Sequence, residues 1–189
     1  MVSYNRPFIQ AHPEHTLGGR VPNVRPIYYE AFQLSESSHQ SLLPFLRERG
    51  IQYPDYPPQL TAMYSPTLPL PREVQRSIGI FNPDLLLNEM RQLQEPIVIS
   101  AEYLQTAVFT DPFNQTFIVL QIKGDNPALE RHIWLREHGM VWEYPEYTPQ
   151  LKLQALSNLD AYILPAFELP FDLVFDKVKY CIIGELITD

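Results

Sequence analysis

Two nine-residue segments of this 189-residue chain begin an alternating run with the same triplet, Pro-Gln-Leu. The first segment, PPQLTAMYS, covers residues 57–65, and the second, TPQLKLQAL, covers residues 148–156. Residues i and i+2 of a strand share a face, so each segment predicts a β-strand with a glutamine at the start of its polar side. Because Gln59 and Gln150 are 91 residues apart, we interpret the chain as two halves that repeat one order of elements.

The segments around the two triplets alternate between predicted strands and predicted helices. Strands are predicted at Pro26–Ser35, Gln59–Tyr64, Pro96–Thr110, Thr116–Gly124 and Gln150–Leu156, and one or two more within Leu169–Ile187. Helices are predicted at Ser37–Gly50, Asn82–Gln94 and Asn126–Gly139. The turn residues Asp111–Gln115 join two of these strands as a hairpin. This order predicts an α+β fold in which a helix precedes each Pro-Gln-Leu strand.

The composition predicts a folded chain with stiff connections. Hydrophobic residues make up 45% of the sequence, which is enough for a core and argues against a disordered chain. The chain has 19 prolines against 7 glycines, so its connecting segments are expected to be extended rather than flexible.

The first 26 residues differ in character from the rest of the chain. Residues 1–26 show neither helical nor strand periodicity and carry a charge of +2, which leaves −10 on the remainder. We predict an irregular, proline-rich N-terminal arm that is either free in solution or docked along another surface, such as that of a protein partner. The remaining residues, 27–189, are predicted to form one bilobal domain whose halves meet at about residues 95–125.

The net charge of −8 and the cysteine content exclude several classes of protein. An acidic surface repels phosphate backbones, so general DNA binding is not expected, although a local pocket for one small phosphorylated ligand is compatible with it. The single cysteine, Cys181, cannot form an internal disulfide framework and fits a reducing, cytoplasmic location. The sequence shows no signal peptide and no apolar run long enough to cross a membrane, so no membrane association is expected.

The residues around both triplets resemble the two-histidine phosphoesterases, in particular the bacteriophage members that degrade cyclic oligonucleotides. That family carries one His-hydrophobic-Thr motif in each of two pseudo-symmetric lobes. Here PPQLTAMYS resembles the first motif, with Gln59 in place of histidine and Thr61 in place of threonine. WEYPEYTPQLKLQ resembles the second, with Gln150 and Lys152 at those positions. NPALERHIWLREHGMVWEYPEY and ELPFDLVFDKVKY resemble the helix and loop before the second motif and the closing strand.

The resemblance implies a fold and a loss of activity. The implied fold has two pseudo-symmetric lobes of antiparallel sheet with flanking helices around a central groove. In the family, two facing histidines exchange protons with the attacking and leaving oxygens of a phosphodiester. Imidazole titrates near neutral pH, whereas the amide of Gln59 or Gln150 forms hydrogen bonds without titrating. The resemblance therefore implies a protein that is not an enzyme.

The same resemblance implies that a binding groove persists without catalysis. The expected ligand is a nucleotide type, a cyclic oligonucleotide or an RNA end, with no cofactor and no metal. The residues expected to bind it are Gln59, Thr61, Gln150, Lys152, Tyr56 and Tyr147. The alternative interpretations are that the glutamines are ordinary strand-edge residues, that Lys152 is a surface lysine, and that the tyrosines fill loop cores.

The histidines do not form a recognisable alternative site. His12 and His15 lie three residues apart in the arm, with no clustered cysteine or further ligand to make a metal site. His132 and His138 lie six apart, a spacing that does not bring two side chains together on one helical turn.

Two other functions stay open from the sequence. One is a structural or assembly protein, such as a virion component, that uses the fold and the arm as an interaction scaffold. The other is an active esterase that uses residues outside the family motifs. A viral protein of either non-enzymatic kind would act in the host cytoplasm or in the virion.

Overall fold

The computed structural model describes residues 27–52, 57–65, 70–82, 88–111, 115–142, 146–156 and 167–183. Within these ranges the chain forms two antiparallel sheets and three α-helices, so the predicted α+β class is confirmed. The pseudo-symmetry of two lobes and the domain boundaries stay predictions. The N-terminal arm lies outside the described residues.

The elements follow one another along the chain in this order: β1 Ile27–Leu34, α1 Glu36–Arg47, β2 Gln59–Ser65, α2 Arg72–Ile78, β3 Asn88–Ile99, a 3₁₀ turn Ala101–Tyr103, β4 Leu104–Thr110, β5 Thr116–Ile122, α3 Pro127–Glu137, β6 Gln150–Leu156 and β7 Leu173–Ile183. The helices are short, and in the described part of the chain none is both long and apolar enough to span a bilayer.

The two sheets divide the chain unevenly. One sheet has four strands in the order β2-β1-β7-β3, and the other has three in the order β4-β5-β6. Strand β7 comes last in the sequence but pairs with β1 on one side and β3 on the other. The four-stranded sheet therefore combines strands from both ends of the described chain. The predicted hairpin is confirmed for β4 and β5, with Leu104 opposite Ile122 and Thr110 opposite Thr116. The single strand predicted at Pro96–Thr110 is wrong, because the chain turns at Ala101–Tyr103 and residues up to Ile99 belong to β3 of the other sheet.

The helices α1 and α3 form where capping residues and apolar positions predict them. Asn126 caps α3 by accepting a hydrogen bond from the amide of Leu129, and Pro127 occupies the first turn. The cap of α1 is Ser35, which accepts from the amide of Ser38, rather than a serine further along the chain. Pro44 lies in the interior of α1, and its side chain is exposed.

The predicted helix at Asn82–Gln94 is wrong for its described part. Residues 88–99 form strand β3, which pairs with β7 from Asn88 opposite Cys181 to Ile99 opposite Leu173. Residues 83–87 lie outside the described ranges. Pairing with a strand almost 90 residues away outweighs a helical spacing of apolar residues, because propensities differ by only about 0.7 kcal/mol per residue.

One apolar core lies beneath both Pro-Gln-Leu strands. Leu60 and Ala62 of β2 and Leu151 and Leu153 of β6 are buried and belong to the same cluster, together with Phe175 of β7. Gln59, Thr61, Lys152 and Gln154 alternate with them and are only partly buried, as expected when alternate residues point to opposite faces of a strand. The alternation ends at Met63, which is buried next to Ala62 where the β1–β2 register shifts. The two motif strands therefore contribute the same side-chain pattern to one core.

Candidate functional site

Two sets of described residues run past each other in opposite directions where the two sheets meet: residues 52 and 57–65 in one segment, and residues 141–142 and 146–154 in the other. Three hydrogen bonds link them: Val141 N to Ser65 Oγ at 3.1 Å, Tyr147 Oη to the Thr61 carbonyl at 2.6 Å, and Gln52 N to Gln154 Oε1 at 2.9 Å. Residue numbers rise along one segment as they fall along the other. Gln59 and Gln150 both lie between the second and the third of these contacts. The two motif glutamines thus occupy the same short stretch of the junction.

A row of polar side chains lines the non-core face of β2. The Tyr29 hydroxyl donates to Gln59 Oε1 at 3.1 Å and lies 3.3 Å from Thr61 Oγ1. Since Tyr29 has one hydroxyl proton, the Thr61 hydroxyl is the donor in the second contact. The row uses the amide oxygen of Gln59 and leaves its two N–H donors for other partners.

Tyr147 connects the second half of the chain to this row through an aromatic cluster. Its ring stacks on the His132 ring, with centroids 3.8 Å apart and planes 8° apart. The edge of Trp142 meets both rings, at 4.9 Å from His132 and 5.4 Å from Tyr147. Burial raises the pKa of Tyr147, and the neighbouring Tyr29 and Glu30 raise it further. Tyr147 is therefore a neutral hydrogen-bond donor that holds the backbone of β2.

His132 is a buried neutral imidazole rather than a proton shuttle. Its Nδ1 lies 2.8 Å from the Ala62 carbonyl, which only accepts, so Nδ1 carries the proton. Burial lowers the pKa of His132, Arg136 lowers it further, and the bond to Ala62 only partly opposes this. Nε2 is buried, and no described residue donates a hydrogen bond to it.

Gln150 presents an acceptor that the described protein atoms do not use. Its side chain is partly buried, its Oε1 is fully buried, and no described residue donates to that oxygen. In the β5–β6 ladder Gln150 lies opposite Gln121. Buried amide oxygens in folded proteins nearly always accept a hydrogen bond. Because this oxygen has almost no exposed surface, a ligand reaches it only when neighbouring side chains move.

Lys152 occupies the position of Thr61 in the second half, but its contacts lie within the three-stranded sheet. Its ammonium nitrogen is 3.6 Å from Asp111 Oδ2 and 4.1 Å from the centroid of the Phe117 ring. Burial lowers the pKa of Lys152, and the nearby Asp111 carboxylate offsets part of that decrease. Asp111 also accepts from the amide of Gln115, which anchors it at the β4–β5 turn.

A buried ion pair between Glu30 of β1 and Arg131 of α3 was not predicted from the sequence. Glu30 is 1% exposed and accepts two hydrogen bonds from Arg131 of α3, at 2.7 and 3.1 Å, and one from Tyr28. Burial acts to lower the pKa of Arg131, but the bonds to Glu30 and its charge raise it overall. The signal was present in the alternation Tyr28-x-Glu30-x-Phe32, which places a carboxylate on an apolar face.

A second missed residue is Lys179 on the face of the sheet that carries Tyr29. Lys179 is 3% exposed and lies opposite Ala31, while Cys181, two residues on, lies opposite Tyr29. Burial lowers the pKa of Lys179, and Cys181 acts in the opposite sense. The sequence pattern of β7 does not identify Lys179 as buried, because the face on which it lies is set by the pairing of β7 with β1.

The predicted ligand-binding residues are thus brought together only in part. Gln59, Thr61 and Tyr147 are linked by hydrogen bonds, and Gln150 lies in the same stretch of the junction. Lys152 points to Asp111 instead. Tyr56 lies outside the described residues.

The described surface offers few other sites. No three His, Cys, Asp or Glu side chains in the described ranges come together as metal ligands, and His12 and His15 lie outside those ranges. A separate cavity of about 230 Å³ lies beside α2. It is lined by Arg72, Gln75, Arg76, Ile80 and Phe81.

Comparison with known proteins does not assign the chain to a family. No protein-family model matches the sequence, and no curated protein matches it either.

Proposed function

We propose that this chain is a catalytically inactive protein of the two-histidine phosphoesterase type, resembling the bacteriophage members. In this proposal it binds a nucleotide-type ligand, a cyclic oligonucleotide or an RNA end, at the junction of β2 and β6. The observation that carries the proposal is the position of Gln59 and Gln150 within one short antiparallel stretch.

The groups at this junction suit binding more than catalysis. Gln59 offers amide donors, Gln150 offers a buried oxygen acceptor, and Thr61 is held in place by Tyr29. Nucleobases and phosphodiesters present both donors and acceptors, so two amides and a hydroxyl can recognise them. Lys179 adds a cation on the Tyr29 face of the sheet. The loss of proton-transfer groups costs on the order of 10²–10⁴ in rate for each group.

The proposal is tested by titration calorimetry of the full chain. The titrants are cyclic dinucleotides, cyclic trinucleotides and short RNAs with 2′,3′-cyclic phosphate ends, each at high micromolar concentration. Gln59→Ala and Gln150→Ala are each expected to weaken binding about tenfold, the equivalent of one hydrogen bond of about 1.4 kcal/mol. Gln105→Ala, an exposed glutamine on β4, is the matched control and should bind as the unmodified chain does.

The outcomes separate the two ligand sources and the enzymatic alternative. Binding of cyclic oligonucleotides alone identifies a sequestering role, and binding of RNA ends alone identifies an end binder. Absence of heat with every titrant would refute the proposal. Turnover of any of these compounds that disappears in Gln59→Ala would identify an active esterase instead.

The structural or assembly role predicted as the alternative does not depend on this junction. It would use residues 1–26, which lie outside the described residues, or the exposed faces of the sheets. Pull-down and size measurements with and without residues 1–26 test it, since an assembly protein should lose a partner when the arm is removed.

A further inference from the structure

Strand β3 is a long edge strand with much of its surface in solvent. It covers twelve residues, Asn88–Ile99, and pairs with β7 on one side, while no described strand pairs with its other side. Asn88, Glu89 and Met90 are exposed, and Met90 is 39% exposed. An edge strand of this length presents unpaired backbone groups that another strand can pair with.

Only the first part of β3 has a regular edge. The β3–β7 register runs without interruption from Asn88 to Gln92 and shifts between Gln92 and Ile97. Pro96 lies within this irregular part and has no N–H group to donate. Shifts and prolines of this kind block edge pairing in natural sheets, so residues 88–92 are the segment left for it.

The sequence of this segment, Asn-Glu-Met-Arg-Gln, is complementary to itself in the antiparallel direction. When Met90 lies opposite the partner's Met90, Glu89 lies opposite the partner's Arg91, and Asn88 opposite the partner's Gln92. Glu89 and Arg91 already share one face, since their side chains form an ion pair at 2.7 Å. The paired strands would therefore carry four alternating charges on one face and two methionines on the other. A one-residue slip removes the charge pairing.

We infer that two copies of this chain pair edge to edge through residues 88–92, in an antiparallel register centred on Met90. Arg91 is held in position for this contact, because it donates to the Ile78 carbonyl and its guanidinium lies 5.8 Å from the Tyr180 ring. Its side chain is still 37% exposed, so it can reach across to a second strand. Since the contact covers five residues a side, the dimer is weak and forms only at high protein concentration.

Sedimentation analysis of the full chain over a wide concentration range tests the inference. The unmodified chain should shift from monomer to dimer as concentration increases. Arg91→Glu places the new carboxylate opposite Glu89 of the partner strand at both charge pairs. This repulsion should raise the dissociation constant of the dimer at least tenfold. The double variant Glu89→Arg with Arg91→Glu restores opposite charges and should return the dissociation constant to within about threefold of the original. Arg47→Glu, the same charge change on exposed α1, should have no effect.

Cysteine cross-linking tests the register independently of Arg91. Opposite residues of antiparallel strands have Cα atoms about 4.5–5.5 Å apart, which is within the range that a disulfide spans. Met90→Cys should form a covalent dimer under mild oxidation. Val98→Cys is 56% exposed on the same strand but lies beyond the irregular part, and should not. A monomer at every concentration, or equal cross-linking of the two variants, would overturn the inference.

Discussion

Strands β2 and β6 both follow a Pro-Gln-Leu entrance and both bury apolar side chains in one core, but their polar faces have different partners. The polar residues of β2 bond to Tyr29, a neighbour in the same sheet, and the backbone of β2 is held by Tyr147. On β6, Lys152 pairs with Asp111 of the β4–β5 turn, while no described residue donates to Gln150 Oε1.

This difference shows that a shared alternation determines which side chains point away from the core, but not what they bind. On the β2 side, α3 adds contacts, since His132 Nδ1 donates to the Ala62 carbonyl of β2 and Arg131 donates to Glu30 of the adjacent strand β1. On the β6 side, no described residue donates to Gln150 Oε1, and the Lys152 side chain is 41% exposed. We therefore expect changes on the β2 side to alter stability more, and changes on the β6 side to alter it less.

The largest expected effect concerns the buried ion pair. Arg131→Met should lower the free energy of unfolding by about 3–5 kcal/mol, because it leaves the Glu30 carboxylate buried without its cation. Urea denaturation followed by circular dichroism measures the loss. The double variant Arg131→Met with Glu30→Gln should recover part of it. A loss below about 1 kcal/mol would show that the β2 side is not anchored by this pair.

The shared core allows a matched comparison of the two strands. Leu60 and Leu151 are both fully buried in the same cluster, so Leu60→Ala and Leu151→Ala should each cost about 2–5 kcal/mol. Thermal and urea unfolding of the two variants should give values within about 1 kcal/mol of each other. A much smaller loss for Leu151→Ala would mean that β6 does not close the core as β2 does.

The third expected effect is on pH dependence. The pKa of His132 in the folded chain lies below its ordinary value of 6.5, so the unfolded chain binds a proton first as pH falls. The free energy of unfolding should therefore decrease as pH falls from about 6.5 toward the folded-state pKa, by about 1.4 kcal/mol for each unit that separates the two pKa values. Above about pH 7.5 this contribution should be constant.

Unfolding measured in urea at a series of pH values checks this dependence. His132→Phe keeps a ring against Tyr147 but cannot be protonated, so its stability should lack this decrease. His138→Phe, at the C-cap of the same helix, is the control and should keep the decrease that His132 causes. Equal pH profiles for His132→Phe and the unmodified chain would contradict the expectation.

The smallest expected effects compare equivalent positions on the two strands. Thr61→Val removes a hydroxyl bonded to Tyr29 and should cost about 0.5–1.5 kcal/mol. Lys152→Met removes the cation of a half-exposed pair and should cost less than about 1 kcal/mol, decreasing further with added salt. Urea unfolding at low and high salt distinguishes the two. A larger loss for Lys152→Met would reverse the comparison.

Local sequence patterns predicted those helices and strands whose capping residues or alternating side chains are visible in the sequence. A capping asparagine followed by proline predicted α3, and strict alternation predicted β2 and β6 with their polar faces. The same reasoning failed at residues 88–94, where leucine and methionine spacing indicated a helix but β7 pairs with the segment as a strand. On α3 the local pattern also does not show which residues face the core, since Ile133 is 46% exposed whereas the polar His132 is buried.

The sequence by itself determined that this is an α+β chain with two similar strands, each with a glutamine at the start of its polar face. Alternation and capping act over a few residues, so these features do not depend on the rest of the fold. Only the tertiary structure decided three features. Tyr29 and Tyr147 form hydrogen bonds with β2, and Lys152 forms an ion pair with Asp111. Strand β7 lies between β1 and β3. Those contacts join residues that are mostly far apart in sequence, and their partners are chosen by packing and pairing energies that no local pattern encodes.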